Sequence, residues 1–148
     1  MPYIDAILEA VEKNNTHVRV IMENANSYGL ENRVTAMVIY PELVRRGLED
    51  QVELRFFNGR VHSKSVLIDA GLLIIGSQNF HYRAWGKGGE LGENMIITND
   101  PHAIAEYKAL FEYKWQEADP DEEANWPAPQ EQIGVHNFKG VVVPEELV

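Results

Sequence analysis

The chain has 148 residues, 45% of them apolar and 24% charged, the make-up of one globular domain able to bury a core of its own. It contains no cysteine, which excludes disulfides, thiolate metal sites and cysteine nucleophiles. With 13 Lys and Arg against 23 Asp and Glu the formal charge is −10, so the broad basic surface that general nucleic-acid binding draws on is missing.

Residues 2–14 carry Ile4, Ile7, Leu8 and Val11 at helical spacing, and Asn14-Asn15-Thr16 closes that helix. Residues 17–22 alternate as a buried strand with Val18, Val20 and Met22 on one side. The Asn- and Gly-rich stretch 24–32 reads as a loop, and 33–47 as a helix in two pieces around Pro41. Strands follow at 52–57 and 61–68, with an Asn58-Gly59 turn between them. Asp69-Ala70-Gly71 then turns the chain into 72–75, so that 61–68 and 72–75 pair as a hairpin. A further strand is expected at 93–98. Asp100-Pro101 opens a helix running to about residue 118, with Asp as N-cap and Pro in the first helical position. That helix offers Ile104, Leu110, Phe111 and Trp115 for packing.

From Asp119 the composition turns acidic and Pro-rich, so 1–118 is expected to be the domain and 119–148 an extended tail, with a short strand at 141–143. Alternating strands and helices make the fold class α/β. No apolar run approaches the roughly eighteen residues of a membrane span, and no basic-then-apolar leader pattern is present. The sequence thus predicts neither a transmembrane segment nor a signal peptide within these residues and leaves the compartment open, membrane association included.

The chemistry concentrates in His62-Ser63-Lys64, Asp69 and Gly76-Ser77-Gln78-Asn79, which together read H-x-K-x4-D-x6-G-S-x-N. Residues two apart on a strand share a face, so His62 and Lys64 are expected to project together. One offers a nitrogen nucleophile and the other a fixed positive charge that neutralises oxygens as charge builds at phosphorus. Gly76 permits close backbone approach, while the Ser77 hydroxyl and the Asn79 amide can donate to phosphate oxygens. Asp69 falls in a turn, where aspartate is common for local reasons.

This pattern resembles the HKD signature of the phospholipase D superfamily at every fixed position. The resemblance covers about residues 2–118. It implies a phospholipase D-like mixed sheet flanked by helices and phosphodiester chemistry through a covalent phosphohistidine at His62. It implies no cofactor and no metal, and no metal-ligand spacing is seen in the chain. Ser77 and Asn79 carry over as phosphate-binding residues, and Asp69 and Gly76 as structural members of the motif. The family also places a glutamate at the start of the next strand, where it would orient the histidine. Glu93 fits that position, with Glu90 as the alternative. Residues 80–85 either line the pocket rim or pack in the core, and His17, His102 and His136 are assigned no role.

Two features of the resemblance point to an incomplete site. The strand that the family sets before the first helix is missing from this reading, and one motif supplies one histidine where the mechanism uses two. A second HKD half is therefore expected as partner, from a copy in the same chain or from a homodimer. The wording of residues 76–85 is similar to the C-terminal half of bacterial cardiolipin synthase and phosphatidylserine synthase-type enzymes. A phosphodiesterase or phosphatidyltransferase acting on a phospholipid substrate is the leading reading. A homodimeric nuclease is the alternative, disfavoured by the acidic composition unless Arg55, Arg60, Arg83 and Lys87 form a local basic groove. A third reading is a non-catalytic half that only completes a two-motif enzyme.

Overall fold

The computed structural model describes residues 2–24, 26–77 and 94–120. The chain forms two compact units, Met1–Val61 with Glu117–Val148, and His62–Gln116.

In the first unit, helix α1 (Pro2–Asn14) leads into strand β1 (Val18–Glu23), helix α2 (Asn26–Arg46) and strand β2 (Val52–Phe57). β1 and β2 run parallel, with Val18 opposite Val52 and Glu23 opposite Phe57. The short strand β6 (Asp119–Pro120) adds antiparallel to the other edge of β2. Leu8 and Val11 from α1, Ala36 and Leu43 from α2, Leu48, and Val52, Leu54 and Phe56 from β2 make one apolar cluster. Val18, Val20 and Met22 pack against it, as their alternation predicts. Ile7 does not join this core. It is 41% exposed, because the i, i+4, i+7 stripe of Ile4, Leu8 and Val11 runs past it on an adjacent face of the helix.

Two expectations about α2 fail. The stretch read as a loop is helical from Asn26, and the helix continues unbroken through Pro41. Its early part is tied to the end of β1: Asn32 Nδ2 donates to the Glu23 carbonyl at 2.7 Å, and Arg33 Nε to Asn24 Oδ1 at 2.8 Å. These non-local bonds outweigh the weak helix propensity of Asn and Gly. Pro41 sits on the exposed side, while buried Ala36, Met37 and Leu43 hold the helix to the core on either side of it. That packing offsets the roughly 3 kcal/mol that an interior proline costs.

Both helices end on a residue in the left-handed region. Gly47, at φ 68°, stops α2 with Leu48 N–H on the Leu43 carbonyl and Gly47 N–H on that of Val44. This is the paired bonding of a Schellman cap, and its usual apolar contact is supplied by Leu43 and Leu48, both in the core. Asn15, at φ 52°, does the same for α1, with Thr16 N–H on the Val11 carbonyl. On the exposed surface of α2, Glu42 accepts from Arg45 at 2.6 and 2.7 Å and from Arg46 at 2.6 Å. The hydrogen bonds from Arg45, then those from Arg46, hold the Glu42 carboxyl down at about 2.

The second unit is an antiparallel sheet of strands β3 (Lys64–Ile68), β4 (Leu72–Gly76) and β5 (Met95–Thr98), followed by helix α3 (Pro101–Glu117). Asp100 caps α3 as expected, its Oδ1 accepting from Ala103 N–H at 2.8 Å. Ile104 and Trp115 are buried, but Leu110 is 49% exposed because it lies off the 104–111–115 face. β3 begins three residues later than the sequence suggests. The 61–63 segment stays outside the strand, since the ladder with β4 ends at the Lys64–Gly76 pair. β5 likewise starts at Met95. The segments 78–93, with Asn79, Glu90 and Glu93, and 121–148, with the expected strand at 141–143, lie outside the described residues.

Candidate active site

The hairpin of β3 and β4 sorts the motif by its register. Lys64 pairs with Gly76 at one end and Ile68 with Leu72 at the other. The H-x-K segment and the Gly-Ser segment therefore meet at one end of a single hairpin. Asp69 sits at the opposite end, directly after Ile68, which is four residues or roughly 13 Å along the strand from Lys64. There it forms the turn with Ala70, at φ 50° and 52°, closed by Gly71 N–H on the Ile68 carbonyl at 2.9 Å. Both turn residues are thus in the left-handed region, which Asp tolerates better than Ala.

His62 is exposed and precedes the strand, outside the β3–β4 ladder. A direct contact joins it to Lys64. The Lys64 side chain folds back and its Nζ donates to the His62 carbonyl at 2.7 Å, so the cation lies beside the histidine backbone. Among the described residues no carboxylate reaches the imidazole. Val61, the residue before the motif, has its N–H held by the Glu23 carboxylate at 2.8 Å.

On the β4 side, Ser77 and Asn94 exchange bonds: Ser77 N–H reaches the Asn94 carbonyl at 3.1 Å, and Asn94 N–H reaches Ser77 Oγ at 3.2 Å. This fixes the serine side chain directly after the strand. Gly76 is needed for the same approach. A Cβ there would fall on the Asn94 carbonyl oxygen and within 2.9 Å of Met95 Cα. The glycine of the motif is thus explained by backbone packing between β4 and β5.

Residues that the motif does not name also gather at this end. Ser63 Oγ lies 2.9 Å from Ser65 Oγ, which lies 2.7 Å from the Tyr107 hydroxyl on α3. Serines on both sides of Lys64 were the available signal, but nothing in the sequence shows their partner 42 residues away. Of the four basic residues that would make a groove for nucleic acid, Arg55 is bonded to Glu53 at 2.7 Å, Arg60 is exposed, and Arg83 and Lys87 lie outside the described residues. Among the described residues no three His, Asp or Glu side chains gather to hold a metal ion, and no helix is long and apolar enough to cross a membrane.

The fold is similar to that of the phospholipase D family member Nuc from Salmonella typhimurium, with a TM-score of 0.56 at 20% identity over 80% of this chain and 73% of that one. A stretch of 63 residues is 32% identical to the mitochondrial cardiolipin hydrolase of Xenopus laevis. It amounts to 43% of this chain and 29% of the relative, so the chain spans under a third of that protein's length. The sequence profile described as cardiolipin synthase, PLD-like domain matches residues 1–115. The chain belongs to that family, and with it to the phospholipase D-like superfamily, whose members are in general phosphodiesterases.

Proposed function

We propose that this chain supplies an HKD half-site of a phosphodiesterase or phosphatidyltransferase acting on phospholipids. The observation that carries the reading is the hairpin register, which sets Lys64 opposite Gly76 and so joins His62, Lys64 and Ser77 at one end of a sheet. A nitrogen of His62 attacks phosphorus, and a P–N bond forms as the bond to the leaving alcohol oxygen breaks. A second histidine, from another HKD half, gives that oxygen its proton. The same group then takes a proton from water or an acceptor alcohol, whose oxygen displaces His62 and restores the free imidazole. Lys64 neutralises the phosphoryl oxygens as charge accumulates, and Ser77 and Asn79 donate to them. Glu93 holds the imidazole tautomer.

Phospholipid is favoured over nucleic acid by the charge of −10 and by the pairing of Arg55 with Glu53. The name of the cardiolipin hydrolase relative agrees with that choice. The test is turnover of a chromogenic phosphodiester in excess EDTA across a range of protein concentrations, followed by phospholipid vesicles and then DNA. Activity that survives chelation, rises faster than linearly with concentration and disappears in His62→Ala supports a shared histidine site. The loss in that variant is expected to be about 10³-fold or more, since the nucleophile itself is removed. Cleavage of DNA with vesicles untouched would make the nuclease reading correct. A folded chain without turnover in any assay would leave the non-catalytic half.

A further inference from the structure

We propose that Tyr107 and Ser65 are positioning residues that hold Ser63, and with it the His62–Lys64 segment, in the geometry that binds the substrate phosphate. This rests on the reading of His62 and Lys64 as phosphate-handling residues. Ser63 lies between them, yet all of 61–63 is outside the β3–β4 ladder and lacks its backbone restraint. Side chains supply the restraint instead. Ser63 Oγ, Ser65 Oγ and the Tyr107 hydroxyl form a continuous chain of 2.9 and 2.7 Å links.

The far end of this chain is firm. Tyr107 is half-buried on α3, its ring centroid 6.4 Å from that of Phe111, which in turn stacks at 5.8 Å on buried Trp115. The near end is exposed, because Ser63 faces solvent.

A chain of hydroxyls has a direction, since each oxygen carries a single proton to donate. A phenol is a better donor than an aliphatic alcohol, so the favoured order runs from Tyr107 to Ser65 to Ser63. Successive donation polarises the chain and strengthens its last member. Ser63 and Ser65 touch as residues two apart on one face, so the chain holds the extended backbone through Ser63 from the side opposite Lys64. Tyr107 is therefore more than a tie between helix and sheet: through Ser65 and Ser63 it fixes the backbone that carries His62 and Lys64.

The experiment is titration of the full chain, labelled with 15N, with inorganic phosphate, following the His62 imidazole and Ser63 amide signals. The variants are Tyr107→Phe, which keeps the ring, Ser65→Ala, and Ser65→Thr, which keeps a hydroxyl on the strand. Wild type is expected to shift at both residues. Tyr107→Phe and Ser65→Ala should each weaken phosphate binding about three- to tenfold, the range of one hydrogen bond. Their double variant should be no worse than either single one, because both break one chain. Ser65→Thr should bind as wild type does.

Phosphate binding unchanged within twofold in both Tyr107→Phe and Ser65→Ala would overturn the proposal. So would the absence of any shift at Ser63 in the wild type. Thermal melting of each variant separates this effect from loss of fold. In the phosphodiester assay, a wild type without turnover whose variants still lose phosphate would sink the enzymatic reading and leave the hydroxyl chain standing. Turnover in wild type and both variants alike, with equal phosphate binding, would do the reverse.

Discussion

The first unit buries Leu8, Val11, Leu43, Leu54 and Phe56 in one cluster fed by two helices and a parallel strand pair. The second unit, among the described residues, buries Leu73, Ile104 and Trp115, and leaves Ile96 and Ile97 on strand β5 about two-thirds exposed. Yet His62, Lys64, Gly76 and Ser77 all belong to the second. Among the described residues, packing is concentrated in one unit and candidate chemistry in the other. A site built on a thinly packed sheet depends less on core burial than on particular restraints: a register, a glycine contact and a few side-chain bonds. That difference predicts that the two regions respond to substitution by different mechanisms.

The largest stability effect should come from the first unit. Phe56→Ala removes a fully buried ring from the centre of the cluster and is expected to cost about 3–5 kcal/mol, read by chemical denaturation. A cost under about 1 kcal/mol would mean that this core is far looser than its burial implies.

Next comes Gly76→Ala in the second unit, a change of one methyl group. The added Cβ collides with the Asn94 carbonyl and Met95, so strands β4 and β5 must separate at a cost of about 1–3 kcal/mol. The bonds between Ser77 and Asn94 should loosen with them, visible as faster amide exchange at both residues. Slow exchange retained at both would show that the close approach is not what the glycine serves.

Ala70→Gly should act in the opposite direction. Ala70 holds φ at 52° in the hairpin turn, and relief of that strain, less the entropy glycine adds to the unfolded chain, should stabilise the protein by about 0.5 kcal/mol. A lower melting temperature would contradict the turn geometry.

The smallest effect belongs to the surface of α2. The folded Glu42 carboxyl is held at about 2, below the ordinary 4.5, so its contribution is fully present above the ordinary value and is lost as pH falls towards 2. Glu42→Gln should therefore flatten the stability profile between about pH 4.5 and 2 and change its slope little at pH 7. An unchanged acid limb would show that the arginine pairing is too well solvated to matter.

Legibility in the sequence followed the range of the interactions. The strands, the hairpin, the Asp100 cap and the H-x-K and G-S-x-N groups are local patterns, and each was readable from spacing. The start of α2 was not, because Asn24, Asn32 and Arg33 bond across nine residues to make a helix of a segment whose composition reads as loop. The start of β3 was misread for a related reason: Val61 and Ser63 continue the strand-like alternation, but the ladder stops at the Lys64–Gly76 pair. Of the candidate site, His62, Lys64, Gly76 and Ser77 stand out by spacing alone, while Asn79 and Glu93 lie outside the described residues. The role of Gly76 against Asn94, the Glu23 hold on Val61 and the Tyr107 link to Ser65 depend on contacts 17 to 42 residues apart.

The central claim is that His62 becomes covalently bound to phosphorus. Mixing the protein with a chromogenic phosphodiester, quenching within the first turnover in alkaline denaturant, where phosphohistidine persists, and sequencing the peptides by mass spectrometry tests it directly. The account predicts a phosphoryl adduct on the peptide containing His62, lost in His62→Ala. Turnover without an adduct, or with the adduct on another residue, would contradict it.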